Sequence, residues 1–437
     1  MEKRKDNEEA NNSLVLFSAL RKDIADVLDF LENEEIQKAL DKDQVEKLKL
    51  ERAFICAYVQ LSYSDLEQFE DIMTRKRQEV ENLLQLILDD DANNFGCKYV
   101  LTSLAGNMDD CISSHRRSKS DATMMDEQLD FLLLNLYHLS KHCEEKMFPG
   151  VTQYEVHQNI CGNVRDFHGL IVNGYIEHEI VEYVLPQFQL MAERAGHFLW
   201  EDQIDEDSKL SEIDEDDQTD DDSQLSEQDD DDQNDRDSRL FKLAHLLLKI
   251  VPTELEVMHI CYTNLKASTS AEVGCFIKKL LETSPDIIRE YLIHLQELMV
   301  TVITPSTSGA RNIHVMMEFL LIILSDIPKD FIHHDKLFDL LASVGALTRE
   351  VSTLVRDLEQ KLRNKEGTDE TNRATIYLLE NIELLKKDLK HVYLKAPDSS
   401  QCCFPMSDGL LFMHLLHIHL NDLLDSNLFN CFDKGRN

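Results

Sequence analysis

Histidines, cysteines and carboxylates are the residues here that could do chemistry, and each group of them can be held against a known site. "HEIVE", His178 to Glu182, differs by one residue from the zinc-binding HExxH helix. Glu182 stands where the second imidazole is needed, so the paired ligands on one helix face are missing. A di-iron bundle needs two Glu-x-x-His turns, and only Glu256-x-x-His259 has that form. "CCFPMSDGLLFMHLLHIHL" gathers Cys402, Cys403, His414, His417 and His419. Adjacent cysteines point apart, and His419 lies about 160° around a helix from His417. At most two of these histidines converge, whereas a zinc finger needs spaced pairs of both ligand types.

Phosphate chemistry fails on equally specific residues. "GLIVNGYI" places Gly169 and Gly174 at phosphate-loop spacing, but Tyr175 and Ile176 follow where Lys and Ser/Thr are required. "LILDDD", residues 86 to 91, resembles a metal-holding strand, yet it continues the helix-spaced run Val80, Leu83, Leu84, Ile87. An aspartate-rich helix end is the expectation there. No GxSxG, CxxC or dinucleotide-binding glycine pattern is present. The residues predict no catalytic, cofactor-binding or metal site, and a protein that is not an enzyme. A helical metal-dependent enzyme is the rival reading, and a stand-alone helical scaffold is another.

Helices must position whatever these residues do. The chain has 437 residues with only 13 glycines and 8 prolines. Sheet proteins need turn residues every 8 to 12 positions or so, so the expected class is all-α. Val344, Leu347, Val351, Leu354, Leu358 and Leu362 step by threes and fours, a coiled-coil-like stripe. Ile376, Leu379, Ile382, Leu385, Leu389 and Val392 form another, and Leu132, Leu136 and Leu139 share a face. A further stripe is Ile288, Leu292, Leu295, Met299 and Val302. Ser284 is expected to cap that helix with Pro285 in its first position, and "TPSTSG" (304 to 309) to end it.

Charge divides the chain. "EDQIDEDSKLSEIDEDDQTDDDSQLSEQDDDDQNDRD", residues 201 to 237, holds 20 acids against Lys209 and Arg236, or −18 of the net −38. Ser208, Ser223 and Ser238 recur every 15 residues, which marks a tandem duplication. So little apolar content cannot repay ordering entropy, and the tract is expected to be a disordered linker. An acidic interaction arm is the alternative. The expected organisation is a disordered N-terminus (1–14), a helical domain (15–200), the linker (201–237), a second helical domain (238–427) and a divergent tail (428–437). The only basic cluster, "HRRSKS" (115 to 120), is too short to displace counterions from nucleic acid, so no nucleic acid is expected as a partner. The charged start carries no signal-peptide core, and the most apolar run, residues 315 to 327, falls short of the ~20 residues of a membrane span. The ten cysteines lack framework spacing and read as reduced thiols.

Several long stretches carry a resemblance. "QLSYSDLEQFEDIMTRKRQEVENLLQLILDD", "RDFHGLIVNGYIEHEIVEYVLPQFQLMAERAGHFLW", "LKASTSAEVGCFIKKLLETSPDIIREYLIHLQE" and "ATIYLLENIELLKKDLKHVYLKAPDSSQCCFPMSDGLLFMHLLHIHLNDLLDSN" resemble the N-terminal (Solanaceae) region of the potato late blight resistance protein family. The resemblance runs from about residue 15 to Asn427. That family comprises intracellular plant immune receptors with a nucleotide-binding switch and leucine-rich repeats. It implies a helical region that recognises pathogen effectors or regulates the switch, leading to the hypersensitive response. Protein partners are implied: an effector, or the coiled-coil or nucleotide-binding parts of related receptors. A cytoplasmic location with possible peripheral membrane association is implied too. The chain departs from the family in its duplicated tract and in ending at "LFNCFDKGRN", with no phosphate loop or repeat array. Nucleotide binding therefore maps onto no residue here, and an isolated or truncated N-terminal module is the expectation.

Overall fold

Apolar residues at three- and four-residue steps make helices throughout residues 42–61, 66–89, 124–213, 228–302 and 334–364, which, with a few isolated positions, are those described by the computed structural model. Among them every regular element is helical, so the all-α expectation holds. The helices are α1 (Lys42–Tyr58), α2 (Leu66–Asp89), α3 (Asp126–His142), α4 (Thr152–Val172), α5 (His178–Val181), α6 (Leu185–Ile213), α7 (Gln228–Ile260), α8 (Ala271–Val302) and α9 (His334–Asn364). Single π-turns, Cys143–Met147 and Cys261–Leu265, follow α3 and α7. None of the described helices is long and apolar enough to cross a membrane.

The chain forms two units: Met1–Val172 with Leu185–Arg239, and Asn173–Val184 with Leu240–Asn437. In the first, α3 packs against α1, α4 and α6. It can do so because Leu129, Leu132, Leu133, Leu136 and Leu139 are all buried, each contributing about 1.5–3 kcal/mol. Asp126 and Glu127 in its first turn and Lys141 and His142 in its last complement the helix dipole. The only tryptophan, Trp200 on α6, stacks on Phe54 of α1 at 5.3 Å and Phe69 of α2 at 5.7 Å, with Tyr58 edge-on at 4.9 Å. At Gly196 a Cβ would lie 2.3 Å from Leu61 Cδ1, so glycine lets α6 come this close. Lys76 and Glu51 join α2 to α1 in a buried ion pair at 3.2 Å.

In the second unit α8 packs on α9. The predicted stripes are the buried faces: Ile288, Leu292 and Leu295 on α8, and Val344, Leu347, Val351 and Leu354 on α9. Tyr291 and Ser352 share a buried hydrogen bond of 2.6 Å across that interface. The side chains of Met299, Val302, Leu358 and Leu362, and the whole 376–392 stripe, lie outside the described residues.

Two expectations change. Pro285 does not begin a helix; it lies inside α8. The cap is Ser270, whose Oγ accepts the Val273 N–H at 3.3 Å. Proline removes one backbone donor, and just before it the Ser284 hydroxyl donates to the Leu280 carbonyl. The acidic tract differs in extent: α6 runs in to Ile213 and α7 begins at Gln228, so helix occupies both its ends. Extending a helix already held by packing needs no new nucleus, and the aspartates opening α7 fall where the dipole favours negative charge. Residues 214–227 lie outside the described ones.

Candidate functional site

Among the described residues, the sequence motifs do not assemble into a site. Gly169 sits within α4, and Gly174 occupies a turn with φ 75°, a left-handed conformation that suits glycine. "LILD" ends α2, as expected. His178 and Glu182 are exposed at α5, and His259 is exposed on α7. Its neighbour Glu256 is engaged elsewhere, by Arg349 at 2.6 Å. Among the described residues no group of three or more His, Cys, Asp or Glu is placed to hold a metal ion. Cys402, Cys403, His414, His417 and His419 lie outside them.

What the fold does bring together is long-range and was not legible in any motif. Ser140 near the end of α3 and His157 on α4 share a hydrogen bond of 2.7 Å between Oγ and Nδ1. Cys161 Sγ lies 3.9 Å from the other ring nitrogen. This chain has the residue types of a nucleophile and its base. Ser140 and His157 are both 0 % exposed. Burial pushes the imidazole down to about 4, so the ring is neutral at neutral pH. A nucleophile needs a face open to substrate, and these three side chains form a polar cross-link between α3 and α4 instead.

A second buried set closes the root of the acidic tract. The Tyr154 hydroxyl on α4 donates to Asp202 Oδ1 on α6 at 3.2 Å. Arg239 on α7 lies 3.5 Å from the same oxygen, with its guanidinium 5.7 Å from the Phe148 ring. Asp202 is the second residue of the tract and Arg239 follows its end by two. A buried ion pair thus joins the two ends of the tract within one unit. Burial first, then the Asp202 charge, pushes the Tyr154 phenol far above its usual range.

The second unit repeats these residue types nearer to solvent, with the Arg349 side chain 35 % and the Glu256 side chain 13 % exposed. Tyr183, after α5, donates its hydroxyl to Glu256 Oε1 at 3.0 Å, and Glu256 pairs with Arg349 of α9. Partial burial and this hydrogen bond push the Tyr183 phenol up to about 12. The residue is nevertheless 51 % exposed. Tyr175 is 45 % exposed in the same segment. Tyr183 is thus held at its hydroxyl while about half of the residue is open to water, an arrangement suited to contact rather than to reaction. Sequence alone offered one clue, the tyrosines alternating with glutamates in "YIEHEIVEY". No protein-family model, curated protein or solved structure matches the chain, so the family resemblance rests on the quoted stretches.

Proposed function

We propose that the chain is a protein-interaction module of the late blight resistance type, acting in plant defence. It would bind a pathogen effector, or the coiled-coil or nucleotide-binding part of a related immune receptor, in the cytoplasm or at the membrane periphery. The supporting observation is a division of labour: the groups with chemical potential, Ser140, His157, Tyr154 and Asp202, are sealed between helices, while Tyr175 and the hydrogen-bonded Tyr183 are exposed to solvent. Anchored aromatic side chains suit binding, because little conformational entropy is left to lose. The resemblance of residues 15 to 427 to the receptor N-terminal region supplies the biological setting.

Co-purification from effector-expressing leaf tissue tests this reading. Recovery of an effector or of a receptor's N-terminal parts is the expected result, and consistent recovery of neither contradicts it. A companion expectation concerns signalling. Switching in the resembled receptors needs a nucleotide that binds two states unequally, and no residue of this chain forms a phosphate loop. Expressed alone in leaves, it should produce no hypersensitive response. Necrosis at modest expression with no receptor present would place signalling in these helices and overturn this part of the reading.

A further inference from the structure

The segment Asn173–Val184 leaves the helices of the first unit's sequence and packs as part of the second unit. Ile176, Val181 and Val184 are its buried anchors. Around them, Tyr175, Glu177, His178, Glu179, Glu182 and Tyr183 are all exposed. Glu177, Glu179 and Glu182 take part in no ion pair with a described residue. Arg349, the cation of the Tyr183 set, is committed to Glu256.

We propose that this strip is a docking site for an arginine- or lysine-rich peptide segment of a partner protein. The inference deepens the interaction-module reading and rests on it. Charge complementarity selects the occupant. Three carboxylates in a short exposed stretch attract a cation, and the two tyrosine faces offer cation–π contact to it. The hydrogen bond to Glu256 holds the Tyr183 ring in place. A second copy of the chain is a poor occupant, because each copy brings a net charge of −38 and its own carboxylates to the contact.

Fluorescence anisotropy with a labelled Arg-Gly-Ser repeat peptide tests the site, with a citrulline-for-arginine peptide as the uncharged control. The acidic tract would also attract such a peptide, so titrations are run on the full chain with and without Asp→Asn changes between positions 214 and 232. Binding should persist in the tract-neutralised chain, weaken about 10-fold in Tyr183→Ala, and weaken comparably in the triple variant Glu177→Gln/Glu179→Gln/Glu182→Gln. Tyr183→Phe, which keeps the ring but loses the bond to Glu256, should fall between wild type and Tyr183→Ala, and the citrulline peptide should not bind. The triple variant alters only exposed groups and so decides the matter if Tyr183→Ala disturbs folding. Binding that vanishes with the tract, or that ignores both the tyrosine and the glutamine changes, overturns the proposal. So does sedimentation showing that Tyr183→Ala dissolves a homodimer. Failure here while effector or receptor co-purification succeeds refutes the strip alone. Peptide binding without any such recovery refutes the defence reading and leaves the strip.

Discussion

Two tyrosine–carboxylate–arginine sets sit in the two units, and burial separates their roles. Tyr154, Asp202 and Arg239 are each less than 5 % exposed, whereas Tyr183 is half open to water. In the interior, the carboxylate must answer both an arginine and a hydroxyl, since an uncompensated charge there is costly. At the surface the same bonds are screened and weak, and their consequence is orientation. Identical residue types therefore act as a clamp in one place and as a mount for an aromatic face in the other.

The largest break comes from the buried set. Asp202→Ala strands the Arg239 guanidinium and should destabilise the first unit by about 3–5 kcal/mol, measured by denaturant unfolding. A loss below about 1 kcal/mol would mean that water reaches the pair. Acid should also act on this unit. His157 and His138 are both held near 4, by burial in each case and for His138 also by Arg52 and Arg165. The unfolded chain takes up these protons first, from about pH 6.5 downward. The histidine contribution should therefore be full above that pH, fall as pH drops toward 4, and be constant below, where only the carboxylates still titrate. Unfolding monitored across this window should give a shallower slope in His157→Gln.

Next in size is Ser140→Ala. It removes the partner of a buried imidazole nitrogen and should cost about 1–3 kcal/mol in the same unfolding experiment. The smallest expected effect sharpens the contrast. Glu256→Gln on the surface set should change stability by less than about 1 kcal/mol, with the difference shrinking as salt is added. A multi-kcal/mol loss there would place the second set in a core role and end the distinction.

Much of the helical frame could be read from spacing, because Leu132, Leu136, Val344 and Val351 each sit on a face that a 3.6-residue period makes continuous. Pro285 misled because Ser284–Pro285 satisfies the local rules for a helix start equally well. The deciding facts were the cap at Ser270 and the apolar run Val273, Phe276, Leu280 that continues across the proline to Ile287 and Ile288. The tract's composition argued against order, and could not show that packed helices on either side extend into it. The two tyrosine sets were hidden for a different reason. Tyr154 is 48 residues from Asp202, and Tyr183 is 73 from Glu256. Such partners meet only through tertiary packing, so no motif spacing could announce them.

Hydroxyl-radical footprinting with mass spectrometry reads ring exposure directly and does not depend on phenol ionisation. In the folded chain, Tyr175 and Tyr183 should be oxidised readily while Tyr154 stays protected until denaturant unfolds the first unit. Comparable oxidation of Tyr154 and Tyr183 in the native protein, or protection of Tyr183, would contradict the contrast between a sealed clamp and a presented aromatic face.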